Sequence, residues 1–291
     1  MDRVLALDIG GTKIAAALAG RDGSLGHVER MPTPRSPDPE VVFAAVLSVC
    51  EKVMDAEREF EPVACGVGCG GPMRQGASLV SPVNIPAWRD FPLRERLADA
   101  LGISVHVDND AKALALGEGW QGTAKGKSHY MAMVVSTGVG GGIVLDGRLL
   151  DGREGNAGHV GHIIVEPEGH PCGCGAVGCL EAEASGTAIS KIFGCDPAEA
   201  PMEVRRRSGL LVGRAVASVA NLLDIEIVVV AGSVALGYGD VFFASAREEL
   251  ERRARLDHSR GVPVVPSVLG ATGPLVGAAA VAWRGVGAIG E

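Results

Sequence analysis

The stretch RVLALDIGGTKIAAALAGRDGSL, residues 3–25, runs as an apolar segment, a glycine turn, a second apolar segment and an Asp-Gly turn. By period it reads as two strands joined at Gly10 and Gly11, with Asp22-Gly23 turning the chain again, because such pairs accept the positive φ of tight hairpins. A dinucleotide-binding unit would pass from strand through turn into helix, so these glycines do not read as that fingerprint. The same grammar returns in HYMAMVVSTGVGGGIVLDGRLL, residues 129–150, with Thr137 matching Asp8. An internal echo of this kind predicts two similar half-molecules facing one another.

Between and beyond the hairpins, helices and strands alternate. Helical periodicity covers 39 to about 59, 93–101, 111–120, 210–223, 240–255 and 275–283, and strands fall at 63–68, 103–110, 225–232 and 262–269. The chain therefore reads as α/β with two lobes. At 291 residues and 47% hydrophobic it can bury an ample core. Its 42 glycines sit at the ends of apolar runs, where turns and ligand loops belong.

A net charge of −8 argues against a nucleic-acid partner, which needs a basic surface. The basic clusters at Arg205 to Arg207 and at Arg252, Arg253 and Arg255 read as solvated helix faces. No apolar run of about 20 residues could span a bilayer, and no signal-peptide pattern precedes the first strand, so the expected location is the cytoplasm. Thiols stay reduced there, and three of the seven cysteines fall within residues 172–179, a spacing that favours metal over disulfides. Cys50, Cys65, Cys69 and Cys195 stand singly and read as packing residues.

Two glycine hairpins point to a bound nucleotide, since glycine lets backbone N–H groups approach phosphate oxygens. Beside Gly10 and Gly11 stand Asp8, able to hold hydrated Mg²⁺, and Thr12 and Lys13, which offer hydroxyl and ammonium donors. A phosphotransferase also needs a carboxylate that accepts the proton of the attacking hydroxyl. Asp110, where a strand gives way to a helix, is one candidate and Asp108 another; a helix N-cap is the plainer explanation of Asp110. In GHVGHIIVEPEGHPCGCGAVGCLE, residues 158–181, Cys172, Cys174 and Cys179 with His162 or His170 can close a tetrahedral Zn²⁺ site. Four protein ligands leave no open position, so such a zinc would be structural.

The segments LDIGGTKIAAAL, VDNDAKALALGE, STGVGGGIV, GHIIVEPEGHPCGCGAVGCLE and VVVAGSVA resemble, in order and near spacing, the ROK family of sugar kinases. The resemblance spans nearly the whole chain. It implies the actin-like ATPase fold of hexokinases, with ATP and a hexose in a cleft between two lobes and Mg²⁺ accompanying ATP. The lobes are expected as 1–109, completed by a helix at 275–291, and 110–274, with the zinc loop at 158–181 and the adenosine site.

Residue by residue, the resemblance implies Asp110 as base, Asn84, Asn109, His162 and Glu181 at the sugar, and His162, Cys172, Cys174 and Cys179 on zinc. Asp8, Gly10, Gly11, Thr12, Lys13, Thr137, Gly138, Gly232 and Ser233 fall to ATP. His159 is expected at the sugar as well, where it departs from the family, which commonly has Glu three positions before the histidine ligand. A carboxylate accepts from two hydroxyls at once, whereas a neutral imidazole accepts from one. The expected activity is phosphorylation of a sugar 6-hydroxyl, glucose first. An amino-sugar kinase acting on glucosamine, kanosamine or N-acetylmannosamine is the alternative, and a non-catalytic sugar-responsive regulator ranks behind both. A homodimer or homotetramer is also implied.

Overall fold

The computed structural model describes residues 2–289 and divides into two compact units. Unit 1 comprises Met1–Lys125, Arg148–Ala157 and Ala271–Glu291, and unit 2 comprises Gly126–Gly147 and Gly158–Gly270. The strands in chain order are β1 (Arg3–Ile9), β2 (Lys13–Gly20), β3 (Leu25–Pro32), β4 (Pro62–Cys69), β5 (Val105–Asn109), β6 (Tyr130–Val135), β7 (Val139–Leu145), β8 (Arg148–Leu149), β9 (Ile227–Ala231) and β10 (Val264–Pro266). The helices of unit 1 are α1 (Pro39–Ala56), α2 (Leu93–Leu101), α3 (Asp110–Gln121) and, near the C-terminus, α9 (Gly273–Gly285). Those of unit 2 are α4 (Leu180–Ala184), α5 (Gly186–Phe193), α6 (Met202–Leu223), α7 (Ser233–Tyr238) and α8 (Asp240–Arg253).

One sheet runs β3-β2-β1-β4-β5, and β1 is buried on both faces, so its alternation separates two cores rather than core from solvent. Leu5, Leu7 and Ile9 cluster with Val42, Val46, Val49 and Val53, which recur along α1 at helical spacing. Val4 and Ala6, with Ala15, Ala17 and Ala19 of β2, cluster instead with α9 through Leu275, Ala278, Ala282 and Trp283. The small residues of α9 serve close approach. A Cβ on Gly277 would lie 2.6 Å from the carbonyl oxygen of Ala113, so α3 and α9 touch backbone to backbone.

That contact explains a difference from the expected boundary. Unit 1 does not end at residue 109: it continues through α3, which packs on α9 and β4, and it reclaims Arg148–Ala157. The reclaimed segment is tied down by Asn156, whose amide accepts from Met73 N (3.1 Å) and donates to Met73 O (2.8 Å).

The other sheet runs β10-β9-β6-β7-β8. Its wiring repeats the first: an antiparallel hairpin, β6 with β7, to which β9 and β10 add in parallel as β4 and β5 add to β1. The turns are not identical. Asp8 lies within β1 opposite Ala15, whereas Thr137 lies inside the turn between the paired Val135 and Val139. Helix α6 starts at Met202, ahead of the expected 210; its buried face already begins at Val204 and Ser208, interrupted by the polar residues between them. Among the described residues no helix is long and apolar enough to cross a membrane.

Candidate active site

In unit 1, α3 begins where β5 ends. Asn109 caps it, its Oδ1 accepting from the amides of Ala111 (3.1 Å) and Lys112 (3.4 Å). Asp110 is therefore the first helical residue and not the cap, and its Oδ1 accepts from the Ala111 amide at 2.8 Å. The N-terminal end of a helix favours an ionised carboxylate.

Asp108 differs in kind. Lys112 Nζ sits 3.1 Å from its Oδ1, and the same ammonium donates to Asp151 Oδ1 (2.6 Å) and Gly155 O (3.0 Å). The Lys112 side chain is 3% exposed, so the pairing is made in a desolvated setting, where a lone charge would be costly. Burial pushes the Asp108 carboxyl up, and Lys112 pulls it back. Asp108 is thus one corner of a salt-bridge cluster that pins loop 151–155 to the start of α3.

Asp8 is buried beside the other hairpin strand. Burial first, then the like charge of Asp110, pushes its carboxyl up to about 7, with Lys13 acting the opposite way. The turn at 10–13 is closed by Gly10 N donating to Lys13 O (3.0 Å) and braced by Thr33 Oγ1 donating to Gly10 O (2.7 Å). A Cβ on Gly11 would lie 2.8 Å from Asn84 O, so only glycine lets the loop bearing Asn84 lie against this turn. Unit 1 therefore gathers Asp8, Gly10, Gly11, Thr12, Lys13 and Asn84 around one turn, with Asp110 electrostatically coupled to Asp8.

In unit 2 the β6–β7 turn is closed by Ser136 N donating to Gly138 O (2.9 Å). Glu181, in the first turn of α4, accepts from Val139 N at 3.0 Å, so one of its oxygens braces the turn that holds Thr137 and Gly138. Ser136 Oγ and Ser233 Oγ lie 2.9 Å apart and join that turn to the start of α7. Gly232, at φ 102°, makes the reversal between β9 and α7 that a side chain would obstruct. A cavity of about 520 Å³ opens here, lined among others by Thr137, Thr187, Ser190, Asp196, Ser233 and Tyr238. Its lining holds one carboxylate and neither Lys nor Arg. Thr187, Ser190, Asp196 and Tyr238 had no signal in the sequence beyond a Ser/Gly-rich break between helices.

The ligand atoms of His162, Cys172, Cys174 and Cys179 all lie within 4.8 Å of one another. Cys172 Sγ is 3.7 Å from His162 Nδ1, and Cys174 Sγ is 3.7 Å from Cys179 Sγ. A tetrahedron with metal–sulfur bonds of about 2.3 Å has edges of roughly 3.8 Å, so the four fit a tetrahedral ion. The Ala176 amide, with Cys172, holds the Cys174 thiol below its ordinary value, while burial, with Cys174 and Cys172, pushes the Cys179 thiol up to about 12, so a bound metal would have to displace that proton. His170, the alternative nitrogen, is engaged elsewhere: its Nδ1 lies 3.0 Å from Glu183 Oε1. His159 stacks on His162 with ring centroids 5.9 Å apart.

The reading of Arg205 to Arg207 as a solvated face requires correction at Arg207. Its guanidinium donates to the Glu183 carbonyl (2.8 Å) and carboxylate, and the Glu183 side chain is wholly buried. Arg252 and Arg253 likewise pair with the buried Glu249.

The ROK family profile matches residues 4–284. An N-acetylmannosamine kinase of Citrobacter koseri is 36% identical over 81% of this chain and 84% of its own length. The crystal structure of a ROK hexokinase from Thermus thermophilus superposes with a TM-score of 0.86 at 35% identity, covering 98% of this chain and 99% of that one. A ROK family glucokinase from Streptomyces griseus, solved with glucose and AMPPNP, gives a TM-score of 0.84 at 29% identity, covering 97% and 99%. These structural neighbours carry the actin-like ATPase fold, and the two sheets of this chain follow it.

Proposed function

The chain belongs to the ROK family of sugar kinases, and from that premise we propose that it transfers the γ-phosphoryl group of ATP to the 6-hydroxyl of a hexose, with glucose the first acceptor. The observation that carries this reading is the contrast between the two aspartates: Asp108 is locked to Lys112, and Asp110 stands at the N-terminus of α3, coupled to Asp8. Asp110 accepts the proton of the 6-hydroxyl as its oxygen attacks the γ-phosphorus. Mg²⁺ entering with ATP neutralises phosphate charge, and Asp8, Thr12 and Lys13 are the residues suited to hold the metal–phosphate group. Asn84 and Asn109 bind sugar hydroxyls. Because Asn109 Oδ1 already caps α3, its amide NH₂ is the part that donates. Glu181 and His159 are further residues suited to bind sugar hydroxyls.

The cavity in unit 2 takes the nucleoside, with Ser233 and Thr137 at its rim. Hydroxyl and apolar groups around a single carboxylate suit a base and ribose; a polyphosphate chain would call for Lys or Arg. Zn²⁺ in the His162, Cys172, Cys174 and Cys179 cluster is structural, since four protein ligands close its shell. It holds a loop with little apolar content of its own.

A second reading, phosphorylation of an amino sugar, is favoured by the likeness to the N-acetylmannosamine kinase and by His159 in place of the family's usual Glu. Glucose, mannose, glucosamine and N-acetylmannosamine assayed with MgATP by ADP release decide between them. Turnover is expected with at least one, and polyphosphate in place of ATP should yield no sugar phosphate. Absence of ATP turnover across the panel would sink the kinase reading. His159→Glu should lower the KM for glucose about tenfold by restoring a charge-assisted acceptor, and should alter the ratio of glucose to 2-substituted sugars. An unaltered ratio removes His159 from the sugar site.

Elemental analysis should find close to one zinc per chain. Cys174→Ser should lower zinc content and sugar affinity together, and chelation should lower Tm, because a ligand that binds only the folded state stabilises it. Metal-free protein with full activity refutes the structural role.

A further inference from the structure

The metal loop is fastened to the rest of unit 2 at places other than its four ligands. Arg207 and Arg214 are seven residues apart on α6, about two helical turns, and so lie on one side of it. Arg214 holds the entry to the loop: its guanidinium donates to Val165 O (3.1 Å) and pairs with Glu166, while its Nε bonds Glu249 Oε1 at 2.8 Å. Arg207 holds the far side through Glu183, whose carboxylate also accepts from the backbone amide and ring Nδ1 of His170, two residues before Cys172. Between these anchors the loop is a small hairpin, with Val165 N donating to Gly178 O (2.8 Å) and Gly178 N to His170 O (2.9 Å). Each anchor thus controls a segment that leads directly to metal ligands.

We propose that Arg207 and Arg214 are positioning residues that hold the 162–179 loop in the shape its metal requires, so that metal affinity, and with it sugar binding, depends on these two arginines. The reason is energetic. Four ligands brought from a loose loop must be ordered when the ion binds, whereas a loop already tied at Val165, Glu166 and His170 has lost that freedom beforehand. The wholly buried carboxylate of Glu183 makes the Arg207 tie strong, because it has no other Arg or Lys partner among the described residues and a buried charge tolerates loss of its cation poorly; Glu249 is shared by Arg214, Arg252 and Arg253. The ligand, on the proposed function above, is the structural zinc.

The test measures zinc affinity by competition with a chromophoric chelator, alongside KM for sugar and for ATP, on the full-length chain. Arg207→Met should weaken zinc binding about 10- to 100-fold, the range for groups that orient metal ligands, and raise sugar KM. KM for ATP should not move, since neither arginine lines the nucleoside cavity. Saturating zinc should restore the sugar KM, which a general loss of packing would not allow. Glu183→Gln keeps the size of the side chain and serves where Arg207→Met does not fold. It should weaken zinc binding in the same direction, and the two changes combined should be less than additive because they break one anchor. Zinc affinity within twofold of wild type in Glu183→Gln, or in folded Arg207→Met, overturns the proposal. A wild-type chain that phosphorylates no sugar would refute the kinase reading and leave the zinc measurement able to decide this one.

Discussion

Asp110→Asn should lower kcat about 10²-fold or more while the Kd for sugar stays within a few-fold, because the amide keeps the shape of the side chain and cannot take the proton. The control is Asp108→Asn. Its carboxylate is held by Lys112 in the cluster with Asp151, so its loss should leave kcat within a few-fold of wild type. Single-turnover rates and equilibrium sugar binding on both variants check the pair. Reversed outcomes would move the base from Asp110 to Asp108, and equal losses would mean that the Lys112 cluster positions the base as strongly as the base itself acts.

Asp8→Asn should have two effects of opposite sign. Turnover should fall about 10²-fold, since on the proposed function Asp8 is the group that holds the metal–phosphate charge. Stability of the metal-free protein at pH 8 should rise. The Asp8 carboxyl has an unfolded value near 3.8 and a folded value of about 7, raised by burial and by Asp110. A group that binds its proton more tightly when folded costs the folded state stability as pH rises from about 4 to about 7, and the full amount above that window. For a shift of this size the cost is on the order of 2–4 kcal/mol, and asparagine, which cannot ionise, removes it. Melting curves in metal-free buffer should show the variant several degrees above wild type at pH 8, converging towards pH 4. Equal Tm at pH 8 would mean that Asp8 pays no such cost. The pairing of lost activity with gained stability is the mark of a residue kept for function.

Much of this protein is legible from its sequence because the relevant forces act over a few residues. Period-two apolar runs around Gly10-Gly11 and around Gly138 require hairpins, and the hairpins recur in both sheets with the same wiring. The order of His162, Cys172, Cys174 and Cys179 is a chain-local pattern, and the four ligand atoms do converge. The family motifs name Asp8 and Asp110, and both fall in unit 1 beside one another's charge.

Other features were decided only when distant segments met. The difference between Asp108 and Asp110 rests on Lys112 reaching Asp151 across 39 residues of chain, a pairing no spacing announces. The assignment of α3 to unit 1 rests on Gly277 admitting Ala113 at backbone distance, and the cavity in unit 2 on Thr187, Asp196 and Tyr238 arriving from separate segments. Arg207 reads as a solvated helix residue until Glu183, wholly buried, is found beneath it. Turn chemistry and apolar period are properties of neighbouring residues, and so the sequence alone determined the hairpins and the Cys/His cluster that could hold a metal ion. Desolvation and ion pairing depend on what the rest of the chain brings alongside, so the roles of Asp108, Lys112, Glu183 and Arg207 were settled by the tertiary structure.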